Sequence, residues 1–285
     1  MDLRGGNTPQ ITTAEFNKFA EFLHEHSGIV LTESKKYLVA SRLAKIMQLK
    51  DAKNITELIR KIENDSAHRL RQLVIEAMTT NETSWFRDLY PFNFFKDEFL
   101  NGTIQGSPAL GGSIEIWSAA CSSGQEPYSL SISFSEAIKA NPTLARKTCS
   151  ILATDISTEI LAQARAGVYN SIATRRGLND QMLNKYFASL GMDMWQLNKT
   201  ERERVTFEQL NLLDSNCFQE RFHIVFCRNV LIYFSAENKR QIITNFYDSL
   251  KPGGFLILGA SESANDLKDC FQMERIKNGV VFKKK

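Results

Sequence analysis

The segment that decides the fold reads IEIWSAACSSGQEP and runs from Ile114 to Pro127. It starts with strand-forming apolar residues, continues through small residues, and ends where Pro127 suits the first turn of a helix. An apolar stripe at helical spacing follows, formed by Leu130, Phe134, Ala137 and Ile138. A strand that passes through small residues into a helix lets a ligand approach backbone N–H groups closely. The segment therefore predicts a ligand-binding strand, loop and helix.

Similar strand and helix patterns alternate through the rest of the second half of the chain. Further strands are predicted at Ile151–Ala153, Val205–Phe207, His223–Cys227 and Phe255–Leu258, and a closing hairpin around Asn278-Gly279. Such alternation predicts an α/β fold, in which a parallel sheet carries helices on both faces. The polar stretch from Gly167 to Arg204 is too long for a plain connection, so it predicts an inserted subdomain.

The first hundred residues show helical periodicity and no strand pattern. Thr12 and Glu15 have capping-box spacing and predict the start of a first helix. A second helix is predicted at Ser34–Leu49, a third after the cap Asn54, and a fourth from the spacing of Leu70, Leu73, Val74 and Ala77. Residues 101–112 contain four glycines and one proline, which is typical of a linker. The predicted organisation is therefore a helical domain at 1–100, a linker at 101–112, and an α/β domain at 113–285 with an insertion at about 167–204.

The composition excludes several classes of protein. The chain has 285 residues, 43% of them hydrophobic, a net charge of +3 and five scattered cysteines without a Cys-x-x-Cys pair. That profile indicates a folded protein with no disulfide framework or zinc site, and the charge is too small for a nucleic-acid-binding surface. No stretch has the length of a membrane span, and the first residues lack a signal-peptide core, so we expect a cytoplasmic protein.

Polar residues follow several of the predicted strands, at the sheet edge where ligands bind in such folds. Asp155 is placed to accept hydrogen bonds from ribose hydroxyls, although it could instead cap the next helix. Asn211 and Asn229 follow two further strands, and each could simply organise its own loop. The loop before Pro127 holds one glycine, Gly124, so it departs from the three-glycine dinucleotide fingerprint.

Three motifs occur in a fixed order: NETSWFRD at 81–88, WSAA with GQEPYS at 117–129, and CRNVLIYF at 227–234. Together they resemble the CheR-type chemotaxis receptor methyltransferases, over nearly the whole chain from about Phe16. The resemblance implies a Rossmann-like class I methyltransferase domain with a small inserted β subdomain, preceded by an all-α N-terminal domain. It also implies S-adenosylmethionine as the methyl donor and glutamate side chains on the cytoplasmic helical domain of chemoreceptors as acceptors.

The resemblance assigns roles to individual residues. Asn81, Thr83 and Arg87 would reach the cofactor from the junction of the domains, and Glu126 would lie near its methionine end. Asp155 would hold the ribose, and the pairs Asn211-Leu212 and Asn229-Val230 would line the adenosine and methionyl parts. Tyr233 would border the acceptor pocket, with Arg87 as the second residue near the reacting groups. Trp85, Phe86 and Phe234 are expected to pack in the core. At Gln125 many relatives carry a second glutamate, so the pocket here lacks one charge.

The predicted helix Ser34–Leu49 is a candidate receptor-docking surface. Residues 33–53 contain six basic and two acidic side chains, a local net charge of +4. A solvated helix face is the ordinary interpretation of such a run. The resemblance favours docking on an acidic receptor bundle through Lys36, Arg42 and Lys45. We expect a monomer that does not insert into the membrane, and the short stretch Leu190–Arg204 argues against a tether to a receptor tail peptide.

Two rival functions remain open on the sequence alone. A methyltransferase acting on nucleic-acid amino groups would carry a proline-containing segment after the fourth strand, where this chain has Val230-Leu231-Ile232-Tyr233. A sensor that binds S-adenosylmethionine without turnover would need the same cofactor residues. For the favoured reaction no general base is required, because a glutamate side chain with a pKa of about 4.3 is already ionised at neutral pH.

Overall fold

The computed structural model describes residues 11–102, 111–214, 218–264, 269–277 and 279–285. Within them the chain forms two compact units. The first contains the described residues up to Thr80 together with Tyr233–Asn238, and the second contains those of Asn81–Ile232 and Lys239–Lys285. No helix in the described ranges is both long and apolar enough to cross a lipid bilayer.

Four α-helices build the first unit: α1 (Thr13–Ser27), α2 (Lys36–Leu49), α3 (Ile55–Glu63) and α4 (Arg69–Met78). The predicted capping box is confirmed, because Thr12 and Glu15 bond each other's backbone N–H groups, and α1 ends at Gly28 in the left-handed conformation. Asn54 caps α3 as predicted. Of the apolar residues that predicted α4, Leu73 does not face the core, since its side chain is exposed. The segment Tyr233–Asn238 joins this unit through a bridge between Phe234 and Ile29.

The second unit is built on a seven-stranded sheet. Its strands are β1 (Ser113–Ala119), β2 (Thr148–Asp155), β6 (Val205–Gln209), β7 (Phe222–Cys227), β8 (Leu250–Leu258), β9 (Phe271–Ile276) and β10 (Gly279–Lys284), in the order β6-β2-β1-β7-β8-β10-β9. The first five are parallel, and β9 and β10 form the predicted antiparallel hairpin. The strand order reverses direction between β1 and β7, which is where open α/β sheets bind ligands.

The helices of the second unit connect and cover the sheet. They are α5 (Tyr90–Asn93), a π-helix (Phe94–Phe99), α6 (Gln125–Ala140), α7 (Thr158–Ala166), α8 (Ser171–Arg175), α9 (Asp180–Tyr186), α10 (Lys199–Glu203) and α11 (Ala236–Ser249), the last of which begins in the Tyr233–Asn238 segment. The insertion contains a separate antiparallel sheet of β3 (Val168–Asn170), β5 (Met194–Leu197) and β4 (Phe187–Gly191). The predicted fold class, including the inserted β subdomain and the all-α first part, is confirmed.

The division between the units differs from the sequence-based one. Residues 81–100 belong with the sheet, because their aromatic side chains are buried in its core: Trp85, Phe92, Phe94, Phe95 and Phe99. Phe94 and Phe99 pack edge-on against Phe255 of β8. Most of the predicted linker, at 103–110, lies outside the described residues.

The inserted subdomain is joined to the segment 81–88 (hereafter the strap) within the second unit. The Trp85 N–H donates to the Arg176 carbonyl at 3.0 Å, and the Trp85 ring packs edge-on against Tyr169 and Phe187. Gly177 has a φ of +115°, and a Cβ there would overlap the Trp85 carbonyl. The insertion and the strap therefore form one packed body, which confirms the expected core role of Trp85.

Candidate active site

The loop after β1 adopts a conformation that brings its backbone against β2. Ala120, Ser122 and Gly124 all have positive φ, and Gly124 is the N-cap of α6. The N–H groups of Cys121 and Ser122 donate to the Thr154 carbonyl and to Asp155 Oδ2, both at 2.9 Å. Left-handed backbone at residues with a Cβ is uncommon and clusters at functional sites. This loop is therefore a constrained feature at the reversal point of the sheet.

Asp155 joins the loops that follow β1 and β2. Its side chain is buried, and it accepts the N–H of Ser122 through Oδ2 and that of Ser157 through Oδ1. Ser157, and not Asp155, supplies the side-chain cap of α7 by accepting the Ile160 N–H. Both contacts hold the Asp155 carboxylate at the carboxyl end of β2, and a carboxylate is an acceptor of the kind that ribose hydroxyls require.

The strap lies over the start of α6. The Ser122 hydroxyl donates to the Asn81 carbonyl at 2.9 Å, and the Phe86 N–H donates to the Ser129 hydroxyl at 3.1 Å. These bonds place three predicted cofactor residues, Asn81, Thr83 and Arg87, on the same unit as the strand-end loops. The Arg87 side chain is half-buried and bonds the Glu82 carbonyl at 3.3 Å.

Arg228 is a site residue that sequence reasoning missed. Its buried guanidinium pairs with Glu126 at 3.0 Å and Asp88 at 2.6 Å, and it donates to the Arg87 carbonyl at 2.8 Å. Glu126 also accepts the Ser118 hydroxyl at 2.8 Å. Arg228 therefore fixes the strap to β1, α6 and the end of β7. An arginine directly after the apolar run Ile224–Cys227 was the available signal, because such a buried cation requires partners.

Asn229 and Val230 follow Arg228 at the end of β7. Asn229 has a φ of +61°, and its Oδ1 is buried without a hydrogen-bond donor among the described residues. Glu262, the second residue that sequence reasoning missed, accepts the N–H groups of Asn229 and Leu231. A buried acceptor without a donor is rare in proteins, so this oxygen fits an N–H group of a ligand.

Matches to known proteins agree with this arrangement. Residues 81–280 match the family described as CheR methyltransferase, SAM binding domain, and residues 14–79 match CheR methyltransferase, all-alpha domain. The chain belongs to the CheR methyltransferase family. It is 46% identical to chemotaxis protein methyltransferase 1 of Pseudomonas aeruginosa and 44% identical to chemotaxis protein methyltransferase Cher2 of Pseudomonas putida. Each match covers 95% of this chain and 98% of the relative.

A third relative, the chemotaxis protein methyltransferase of Vibrio parahaemolyticus, is 41% identical over 96% of this chain and 98% of its own length. The predicted family, enzyme class and cofactor are thereby confirmed: the second unit is an S-adenosylmethionine-dependent methyltransferase domain. The two domain matches meet between residues 79 and 81, where the compact units also divide.

The remaining predicted residues of this CheR chain have different surroundings. Asn211 Oδ1 accepts the Leu213 N–H at 3.2 Å, so it organises its own loop, and Leu212 is buried. Tyr233 belongs to the first unit, where its carbonyl accepts the Val30 N–H at 2.8 Å. Phe234 is buried there, as expected. The assigned roles of Asn211, Leu212 and Tyr233 in binding remain predictions.

Two thiols lie at the strand ends of the site. Burial raises the pKa of Cys121 and of Cys227 well above the usual value for a thiol, and the neighbouring carboxylates Asp155, Glu126 and Glu262 raise it further. A protonated, buried thiol is a poor nucleophile. Both cysteines are therefore packing residues at neutral pH.

The three predicted docking residues on α2 are not equivalent. The Arg42 guanidinium donates to the carbonyls of Met78 and Thr79, both at 2.8 Å, at the end of α4. The expectation that Arg42 is free to meet a partner is wrong, because a helix end needs donors for its last carbonyls. Lys36 is half-buried and bonds the Thr13 hydroxyl, whereas Lys45 is exposed.

Proposed function

We propose that this CheR chain transfers a methyl group from S-adenosylmethionine to glutamate side chains of chemoreceptors and forms methyl esters. The observation that supports it best is the 46% identity, over nearly the full length of both chains, to a chemotaxis protein methyltransferase. The inferred acceptor is the helical receptor domain in the cytoplasm, and the proposed enzyme is a cytoplasmic monomer.

The proposed cofactor site comprises the strap, the loop after β1 and the ends of β2, β6 and β7. The unpartnered Asn229 Oδ1 supports this assignment, because the cofactor offers an ammonium and an adenine amino group as donors. Asp155 would accept ribose hydroxyls, and Asn81, Thr83 and Arg87 would contact the cofactor from the strap. Glu126 is already paired with Arg228, so we propose that it acts there as part of the ion-pair network with Arg228 and Asp88.

When bound, the cofactor would supply an electrophilic methyl group on a sulfonium. The acceptor carboxylate is ionised at neutral pH, so the side chains of this protein need not remove a proton. Their work is to hold the reacting groups in line and exclude water, which can lower a barrier by about 7 kcal/mol or more. Arg87 would orient the acceptor without a close salt bridge, because stabilising the acceptor carboxylate in the ground state would slow the reaction.

Receptor docking is proposed for the exposed face of α2. Four exposed residues at four-residue spacing form this face: Tyr37, Ser41, Lys45 and Leu49. Residues four apart lie on one side of a helix, so Lys45 lies between Ser41 and Leu49, and Tyr37 follows on the same side beyond Ser41. That combination suits an acidic helical surface better than a random solvated face. We propose docking without a tether to a receptor tail, which binding measurements with tail peptides would test.

Labelling distinguishes the proposed reaction from its rivals. The protein is incubated with methyl-labelled S-adenosylmethionine and a chemoreceptor, and the receptor is then treated with mild base. Carboxyl esters release their label as methanol, whereas N-methyl groups retain it. The proposal expects base-labile label on the receptor, which Asn229→Ala should reduce strongly. Cofactor binding without any receptor label would indicate a sensor and would overturn the proposed activity.

A further inference from the structure

Glu262 holds together the ends of two adjacent parallel strands. It follows β8, and its Oε2 accepts the N–H groups of Asn229 and Gly259, each at 2.8 Å. Its Oε1 accepts the Leu231 N–H at 2.8 Å. One carboxylate therefore satisfies three backbone donors, two of which belong to the loop after β7. Hydrogen bonds to an ionised acceptor are stronger than those between neutral groups.

The loop that Glu262 holds contains a left-handed residue. Asn229 has a φ of +61°, a region that residues with a Cβ adopt infrequently and that asparagine tolerates best. The two N–H bonds to Glu262 flank this residue, at positions 229 and 231. They therefore supply an external constraint on the backbone that carries the unpartnered Asn229 Oδ1.

Gly259 shows how closely this arrangement is packed. A Cβ at Gly259 would lie 2.6 Å from Glu262 Oε2, 2.9 Å from the Asn229 nitrogen and 3.0 Å from Asn229 Nδ2. Any larger residue would therefore push the carboxylate and the Asn229 amide apart. The glycine allows Glu262 to reach both strands at once.

From these contacts we infer that Glu262 is a positioning residue for cofactor binding. Its carboxylate fixes the left-handed backbone of Asn229, so that the Asn229 amide keeps one orientation toward an N–H donor of the cofactor. Glu262 acts through the loop and needs no contact of its own with the ligand. The inference rests on the proposed cofactor site, in which Asn229 is a binding residue.

The test is Glu262→Gln in the full-length protein. The amide replaces one acceptor oxygen with a donor, so at least one of the three N–H groups loses its partner. We expect the Kd for S-adenosylhomocysteine, measured by calorimetry, and the KM for S-adenosylmethionine to rise by about tenfold or more, because bonds to charged acceptors are strong. The kcat should change by less than about threefold, since the reacting groups are untouched.

Glu201→Gln is the matched control. Glu201 is a buried carboxylate of the second unit that, like the partly buried Glu262, accepts several hydrogen bonds, in its case from Ser131, Ser135 and Arg204. Its amide variant should lower the Tm and leave cofactor affinity unchanged. Asn229→Ala supplies the third comparison: adding Glu262→Gln to it should weaken binding by no more than about twofold, because both changes act on the same loop.

Gly259→Ala places a Cβ against Glu262 and Asn229 at the end of β8. It therefore tests the same inference if Glu262→Gln does not fold. It should raise the Kd in the same direction. Wild-type affinity in a folded Glu262→Gln or Gly259→Ala variant, or full additivity with Asn229→Ala, would overturn the inference alone. A wild-type protein that binds neither cofactor nor product would overturn the proposed site together with it.

Discussion

Arg228→Met removes the buried cation that joins the strap to the sheet. The Arg228 side chain is 3% exposed, and its partners Glu126 and Asp88 are 12% and 38% exposed. Asp88 can regain water when the guanidinium is lost, whereas Glu126 keeps a buried charge whose remaining contact is the Ser118 hydroxyl. Breaking a buried pair by removing one partner costs about 3–5 kcal/mol. We expect the free energy of unfolding to fall by that amount.

Urea unfolding followed by circular dichroism measures the change. Arg176→Met is the matched control, because Arg176 also pairs with a carboxylate, Glu82 at 2.8 Å, but both side chains are at least half exposed. Such a surface pair contributes about 0–1 kcal/mol. Adding Glu126→Gln to Arg228→Met should restore about 1–3 kcal/mol, because the unpaired charge is removed.

Two results would refute this reasoning. The first is a loss of stability in Arg228→Met that matches the small loss in Arg176→Met. The second is a double variant that is less stable than Arg228→Met alone. Either result would mean that the network contributes little and that the strap is held by its aromatic packing instead.

Three further predictions concern other parts of the molecule. Gly124→Ala should lower the free energy of unfolding by about 1–3 kcal/mol, because φ is +92° and a Cβ would lie 3.1 Å from its neighbours; urea unfolding checks it. Burial and the nearby Lys251 lower the pKa of His223 in the folded protein below its usual 6.5. As the pH drops below about 6.5, the unfolded chain therefore binds a proton more readily than the folded protein, and the free energy of unfolding falls. His223→Asn should flatten that dependence between pH 7.5 and 5.5. Arg42→Glu should lower the Tm, because the last carbonyls of α4 lose their donor. Lys45→Glu should slow receptor methylation and leave the Tm unchanged. A Tm of Arg42→Glu equal to that of Lys45→Glu would contradict the capping role of Arg42.

Local patterns predicted most elements of the fold. The capping box at Thr12, the cap at Asn54 and the strand at the start of the Ile114–Pro127 segment each depend on residues within a few positions of one another. The parallel sheet adds only the rule that parallel strands alternate with helices. Such features can be inferred from a single sequence because their physical causes are short-range.

The contacts that sequence reasoning missed join distant residues. Arg228 bonds Asp88 and Glu126, which lie 140 and 102 positions away, and Glu262 bonds backbone groups 31 and 33 positions away. Nothing near Arg42 indicates that its guanidinium caps a helix 36 residues further on. Judged by residue type alone, the aromatic residues of 81–100 could pack in the core of either unit. Only the fold decides which of these partners meet.

The close fit of Gly177 against Trp85 limits how this enzyme can be re-engineered. Residues 167–204 look like a cassette that could be exchanged between methyltransferases of differing receptor preference. A transplanted cassette would also have to place a glycine beside the Trp85 carbonyl, or the strap would shift with it. Chimeras should therefore exchange 81–88 and 167–204 as a pair.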